Sequence, residues 1–447
     1  MSTILSQIKK TMKTITFYII LLLISIVSFS QETVYPALSQ SEVTALVNAT
    51  IHVGNGQVIE NGTVIFDKGK ITYAGAEAGA TVNAGVRRVE ASGKHIYPGV
   101  ILSNTDLGLK EVGSGTRSTN DYLEIGLFNP NVRALVAYNT DSKIINTLRS
   151  NGILLANIVP QGGLISGSSS VVQLDAWNWE DAAYSMDAGI HFNMPALLNR
   201  PNPFAAFFGL QPPADPIRTS LDRIESVRHF LRQAKAYQQE KEHSASSLKY
   251  EAVKGLFDKS QKFFIHCDLV KEMLVAIDFV KEFNFDVVIV GGIDSWQIAD
   301  LLKQNNIAVI LGPLHSLPAM SDDDVDQPFK TPAMLQKAGV LFSINDDDGQ
   351  TRGRNLIFNA GTAASYGLTK EQALSAITLN AAKILGIADK TGSVEVGKDA
   401  NIVISTGDLL DMRSSIVTEA YIQGRKIDLN DKHKQLYERY KYKYGLK

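Results

Sequence analysis

From about residue 98 to residue 387, short apolar runs of strand length alternate with stretches of helical periodicity. This alternation restricts the chain to a few architectures. Residues 153–159 follow a helical stretch at 142–150, and residues 263–266 precede one at 270–283. Residues 287–290 precede 295–304, a further apolar run follows at 308–311, and 340–344 come after a helical 333–338. Strands separated by helices of this length form βα units and a parallel sheet. A region of this size fits a (β/α)8 TIM barrel, which needs about 250 residues before insertions. A doubly wound open sheet is the main rival, but no G-x-G-x-x-G follows an early strand, which weakens its dinucleotide-binding form. Residues 201–248 read as an insertion, with Pro201, Pro203, Pro212, Pro213 and Pro216 followed by a helix from Ser220 to about Glu242.

The two ends of the chain have a different rhythm. Residues 45–75 place short β-like runs around the turns Gly54-Asn55-Gly56 and Asp67-Lys68-Gly69, which is the pattern of hairpins. Strand-like runs return at 401–405 and 416–422. The expected organisation is a small composite β-sandwich from residues 31–97 and 388–428, a barrel over 98–387, and a C-terminal tail over 429–447.

Lys9, Lys10 and Lys13 precede the apolar run 17–27, and the small residues Ser28 and Ser30 follow it. That is the order of a secretory signal peptide, and the run is too short for an ordinary membrane span. The expectation is export, to a bacterial periplasm, with a retained anchor as the alternative. No later run is long and apolar enough for the membrane, so none is expected to hold the mature protein there. Forty-four Lys and Arg against 46 Asp and Glu give a net charge of −2, without the basic excess of a nucleic-acid binder. Cys267 is the sole cysteine, which excludes an intramolecular disulfide and any zinc site built on several cysteines.

In a barrel, function sits where strands end on the C-terminal face. The strand-closing residues here are Asn104 and Asp106, then His266-Cys267-Asp268, then Gly291-Gly292, and finally Asn345-Asp346-Asp347-Asp348. Pro98-Gly99 leads into the first of these strands and Gly312-Pro313 follows a later one. Farther on come Ala376-Ile377-Thr378-Leu379-Asn380-Ala381-Ala382-Lys383-Ile384-Leu385-Gly386 and the turn Gly392-Ser393-Val394-Glu395-Val396-Gly397-Lys398-Asp399-Ala400. Over residues 45–428 these landmarks resemble a metal-dependent amidohydrolase of the imidazolonepropionase-like branch, whose corresponding turn reads G-S-L-E-P-G-K-D-A-D.

The resemblance implies a divalent metal, usually zinc, in the barrel mouth. It is held by His-x-His on the first strand, a His on a middle strand, a His on the next and an Asp on the last. Such a metal lowers the pKa of bound water, and the Asp takes its proton. Only His266 and Asp347 match. Asn104 and Asp106 stand at the His-x-His, and Gly291 stands at the next-strand His. Asp106, His266 and Asp347 would make a carboxylate-rich set suited to Mn²⁺ or Mg²⁺ rather than zinc. The metal is therefore expected to be weak or absent, with Asp347 the candidate catalytic residue. Restoring histidine at 104, 106 and 291 is expected to raise zinc occupancy. Cys267 should point away from His266 as a buried thiol, and His315 should lie in a loop. Two functions follow: an exported hydrolase of non-peptide carbon–nitrogen bonds acting on a small molecule, or an inactive relative that binds a ligand or pairs with a ligand-complete homologue. A homo-oligomer is also in keeping with the resemblance.

Overall fold

The computed structural model describes residues 34–80, 85–111, 120–198, 215–240, 242–243, 245–347 and 352–446. The expected export signal lies outside these residues, as do Asp348 and residues 201–214 of the insertion. Among the described residues, no helix is long and apolar enough to cross a membrane.

The chain opens with β1 (Thr44–His52), β2 (Val58–Asp67), β3 (Lys70–Ala76), β4 (Arg87–Glu90) and β5 (His95–Pro98). The central strands are β6 (Val100–Thr105), β7 (Ile153–Ile158), β8 (Ile165–Gln173), β9 (Ala183–Asn193), β10 (Lys262–Cys267), β11 (Val287–Gly291), β12 (Ala308–Leu311) and β13 (Phe342–Ile344). The last are β14 (Ile402–Ser405), β15 (Val417–Ile422) and β16 (Arg425–Lys426).

Strands from the two ends of the chain share one eight-stranded sheet, joined where β14 pairs antiparallel with β5. The sheet divides at β1. Its Thr44–Val47 half pairs with β4, its Thr50–Ile51 part pairs with β5, and Asn48 between them turns at φ +62°. The strands of the β-rich domain are thus hydrogen-bonded as one sheet that splits at β1. Residues 432–444, expected as part of a tail, form the helix Lys432–Tyr444, capped by the Asp431 side chain.

The eight central strands form the barrel, in the order β6 to β13. Seven run the same way, and β8 is antiparallel to both of its neighbours. The cause is the connection from β7, residues 159–164, which is too short for a crossover of a dozen or more residues. β10 to β13 are apolar on both faces, as strands covered by helices must be. Side chains, rather than backbone ladder bonds, join β13 to β6. Ser103 Oγ meets Ser343 Oγ at 3.2 Å; Asn345 Oδ1 accepts from Asn104 N at 3.1 Å, and Asn345 Nδ2 donates to Asn104 O at 2.8 Å.

One end of the barrel is filled by the segment that carries the Ala376–Gly386 landmark. Ala381, Ala382, Ile384 and Leu385 pack against inward-facing Ile101, Leu155, Phe264, Val288 and Ile310. Burying an aliphatic side chain of this size contributes about 1.5–3 kcal/mol, so the plug makes the barrel a packed core and leaves only the opposite mouth open.

Candidate active site

At that mouth lies a cavity of about 490 Å³. Asn104, His266, Gly291, Asn345 and Asp347, all at strand ends on the sequence reading, line it together with Asp268. A recess of about 390 Å³ shares Asn104, His266 and Asp347 and adds Asp106, Gln161 and Asn193. The fold therefore brings Asn104, His266 and Asp347 to both spaces, Gly291 to the first and Asp106 to the second.

His266 is not alone. On β9, His191 is fully buried and stacks on Phe264 at 4.7 Å between ring centroids. Its Nδ1 meets His266 Nε2 at 2.8 Å. Burial pushes His266 down to about 4, and burial together with the neighbouring His266 holds His191 well below the usual imidazole range. Both rings are neutral at physiological pH, so one nitrogen of the contact donates and the other accepts. Only Nδ1 of His266 remains for anything in the cavity. The sequence reading leaves β9 unassigned and misses His191. The register Phe264↔His191 and His266↔Asn193 is what sets the two histidines side by side, and no local pattern carries it.

Asp268 is the second residue missed. It sits between β10 and the helix Val270–Phe283, whose Glu272 turns back to accept from Asp268 N and Leu269 N at 3.2 Å and from Leu197 N at 3.1 Å. Burial first, then the Glu272 charge, with smaller contributions from Asp294 and Asp347, raises the Asp268 carboxyl to about 6; a backbone hydrogen bond from Ile293 opposes this.

The Asp268 carboxylate also explains position 291. Gly291 has φ +100°, and a Cβ built there would collide with Asp268 Oδ1. A histidine at 291 would have to move the Asp268 side chain and adopt this left-handed backbone conformation. The conformation disfavours any side chain, and the room is already taken. Asp106 accepts from Gln161 Nε2 at 3.2 Å and lies 3.8 Å from Lys110 Nζ. Asp347 is exposed on the rim.

The donor set was tested against the metal that the resemblance implies. Around the cavity stand one imidazole nitrogen of His266, the Asn104 amide and the carboxylates of Asp268 and Asp347. Among the described residues, no group of three or more His, Cys, Asp or Glu side chains is arranged to hold a metal ion. These donors do not fit the family's three-histidine zinc set, and Asp106 is engaged by Lys110 and Gln161. Cys267 lies with Phe263 and Ile265 in the layer beneath the helices, where burial pushes its thiol well up. His315 bonds Thr362 Oγ1 at 2.8 Å and lines a different surface recess.

The fold is that of an amidohydrolase-type barrel, and comparison with known proteins agrees. The amidohydrolase family profile matches residues 303–427. An imidazolonepropionase from Mesorhizobium japonicum is 25% identical over 374 residues, 78% of this chain and 87% of that one. A second, from Picrophilus torridus, is 30% identical over 175 residues, 37% of this chain and 42% of that one. The crystal structure of an amidohydrolase from Thermotoga maritima superposes with a TM-score of 0.74 at 26% identity, covering 86% of this chain and 99% of that one. The chain belongs to the metal-dependent amidohydrolase superfamily.

Proposed function

We propose that this protein is an exported hydrolase of non-peptide carbon–nitrogen bonds, acting on a small cyclic amide or related molecule, with a metal site reduced from the family's. The observation that carries the reading is the convergence of Asn104, His266, Asp268 and Asp347 on one cavity at the end of the barrel opposite the Ala381–Leu385 plug. The order of basic, apolar and small residues over 9–30 supports export. In this reading Asp347 takes a proton from the attacking water. Water oxygen bonds to the carbonyl carbon, the carbon–nitrogen bond breaks, and the leaving nitrogen takes a proton from Asp268. A carboxyl held near 6 is suited to that exchange at neutral pH. The free Nδ1 of neutral His266 hydrogen-bonds the substrate or water, as acceptor or donor according to the tautomer set by His191.

A second reading, an inactive relative that binds a ligand or pairs with a ligand-complete homologue, is favoured by one observation: the Asp268 carboxylate fills the space a side chain at 291 would need. One experiment separates the two. Chelator-treated full-length protein, alone and with Zn²⁺ or Mn²⁺, is assayed against five- and six-membered cyclic amides, and its metal content is measured. The hydrolase reading predicts turnover that falls at least about 100-fold in Asp347→Asn, the scale of a positioned general base, with well under one zinc per purified chain. No turnover under any metal condition favours the inactive relative.

A further inference from the structure

The cavity that lies at the centre of the proposed hydrolase also has a pronounced charge pattern. Three carboxylates line it, those of Asp268, Glu272 and Asp347, and none has a Lys or Arg partner among the described residues. Among the described residues, no Lys or Arg lines either space. Lys110 lies 3.8 Å from Asp106 and Arg352 lies 3.8 Å from Asp346. Glu272 accepts hydrogen bonds from the backbone N–H groups of Leu197, Asp268 and Leu269.

A second, independent observation points to a hydrogen-bond donor. Asn104 is 9% exposed and lines both spaces, and its side-chain Oδ1 has no hydrogen-bond partner. A buried acceptor left without a donor is costly, and a ligand N–H at this position would relieve that cost. The opposite wall is apolar, with Met194, Leu198, Val290, Ile293, Ile310 and Leu314.

We infer that this cavity takes a small organic cation, an apolar body carrying a protonated amine or amidine, and discriminates against a carboxylate-bearing molecule. The inference deepens the hydrolase reading by naming the substrate's chemical class. It also separates this chain from relatives whose name, imidazolonepropionase, refers to a propionate. The cationic N–H group sits between Asn104 Oδ1 and the Asp268 and Asp347 carboxylates, and the apolar body lies against the Met194–Leu198 side. A carboxylate there would face uncompensated like charge in a half-enclosed space.

The test is calorimetric titration of the full-length, chelator-treated protein with three probes of matched shape: 2-phenylethylamine, 2-phenylethanol and 3-phenylpropionate. The amine is expected to bind at least about tenfold more tightly than the propionate, with the alcohol between them. In folded Asp268→Asn/Asp347→Asn protein the spread should shrink to about threefold or less, the loss expected when both facing charges are removed. Propionate binding as tight as the amine overturns the inference. So does a spread that survives the double variant, or a cavity that takes none of the probes at millimolar concentration. Because binding is read without turnover, absence of hydrolysis with the cation preference intact counts against the hydrolase reading alone.

Discussion

Asp268 and Gly291 occupy one small volume, and each accounts for the other. A carboxylate that reaches over the end of β11 leaves no room for a Cβ, and a residue at φ +100° accepts glycine most readily. The cost falls on Asp268, whose carboxyl is raised from an ordinary 3.8 to about 6, chiefly by burial. A carboxyl raised in the fold favours the protonated form there. The fold carries no penalty below pH 3.8, where both folded and unfolded chains are protonated; the penalty grows as pH rises toward 6 and is complete above it. Asp268→Asn is therefore expected to stabilise the metal-free protein at pH 7.5 by about 1–3 kcal/mol, and this gain should vanish by pH 3.5. Thermal unfolding at the two pH values measures it. A variant less stable than the parent at pH 7.5 would show that the carboxylate is compensated by a partner.

At the scale of elements, the mouth depends on how β10, β11 and β13 end. β10 delivers His266 inward and Cys267 toward the helices, as strand alternation requires. β11 ends in two residues of positive φ, Gly291 and Gly292, which turn the chain away behind the cavity. Gly291→His is expected to destabilise the protein by roughly 1–3 kcal/mol, the cost of forcing a side chain into this backbone region, and by more if Asp268 cannot move. Denaturant unfolding measures this, and zinc content should not rise in the single variant. Pairing Gly291→His with Asp268→Ala should recover part of the loss; if it recovers none, the backbone conformation alone is the obstacle. The antiparallel β8 belongs to this scale too. Its residues read as an ordinary strand, and only the six-residue connection before it requires reversal.

At the scale of the molecule, the barrel and the β-rich domain meet through buried charge. Asp175, 1% exposed, follows β8; it accepts from Arg149 Nη1 beside β7, from Arg425 Nη1 of β16 at 3.2 Å and from Ala37 N at 2.9 Å. Removing the carboxylate strands two largely buried guanidiniums, so Asp175→Ala should cost about 3–5 kcal/mol. Equilibrium unfolding in urea measures the loss, and a change under about 1 kcal/mol would show that water replaces the carboxylate there. The same contact explains why residues 401–426 act as part of the core despite lying more than 200 positions from Asp175 in the chain.

Local sequence was enough to reveal the strand–helix alternation, the β-rich ends, the resemblance to the amidohydrolases and the strand-end places of Asn104, His266 and Asp347. Those features rest on periodicity and on residues whose roles repeat at fixed positions along a strand. Tertiary structure alone decided the rest. His191 beside His266 is set by the pairing register of β9 on β10. The Asn345 clamp across the barrel seam is set by closure between strands 241 positions apart. The lifted Asp268 carboxyl is set by burial against Glu272 and by the space Gly291 leaves. Each is a property of groups brought together by long-range packing, and desolvation and charge proximity have no meaning until that packing exists.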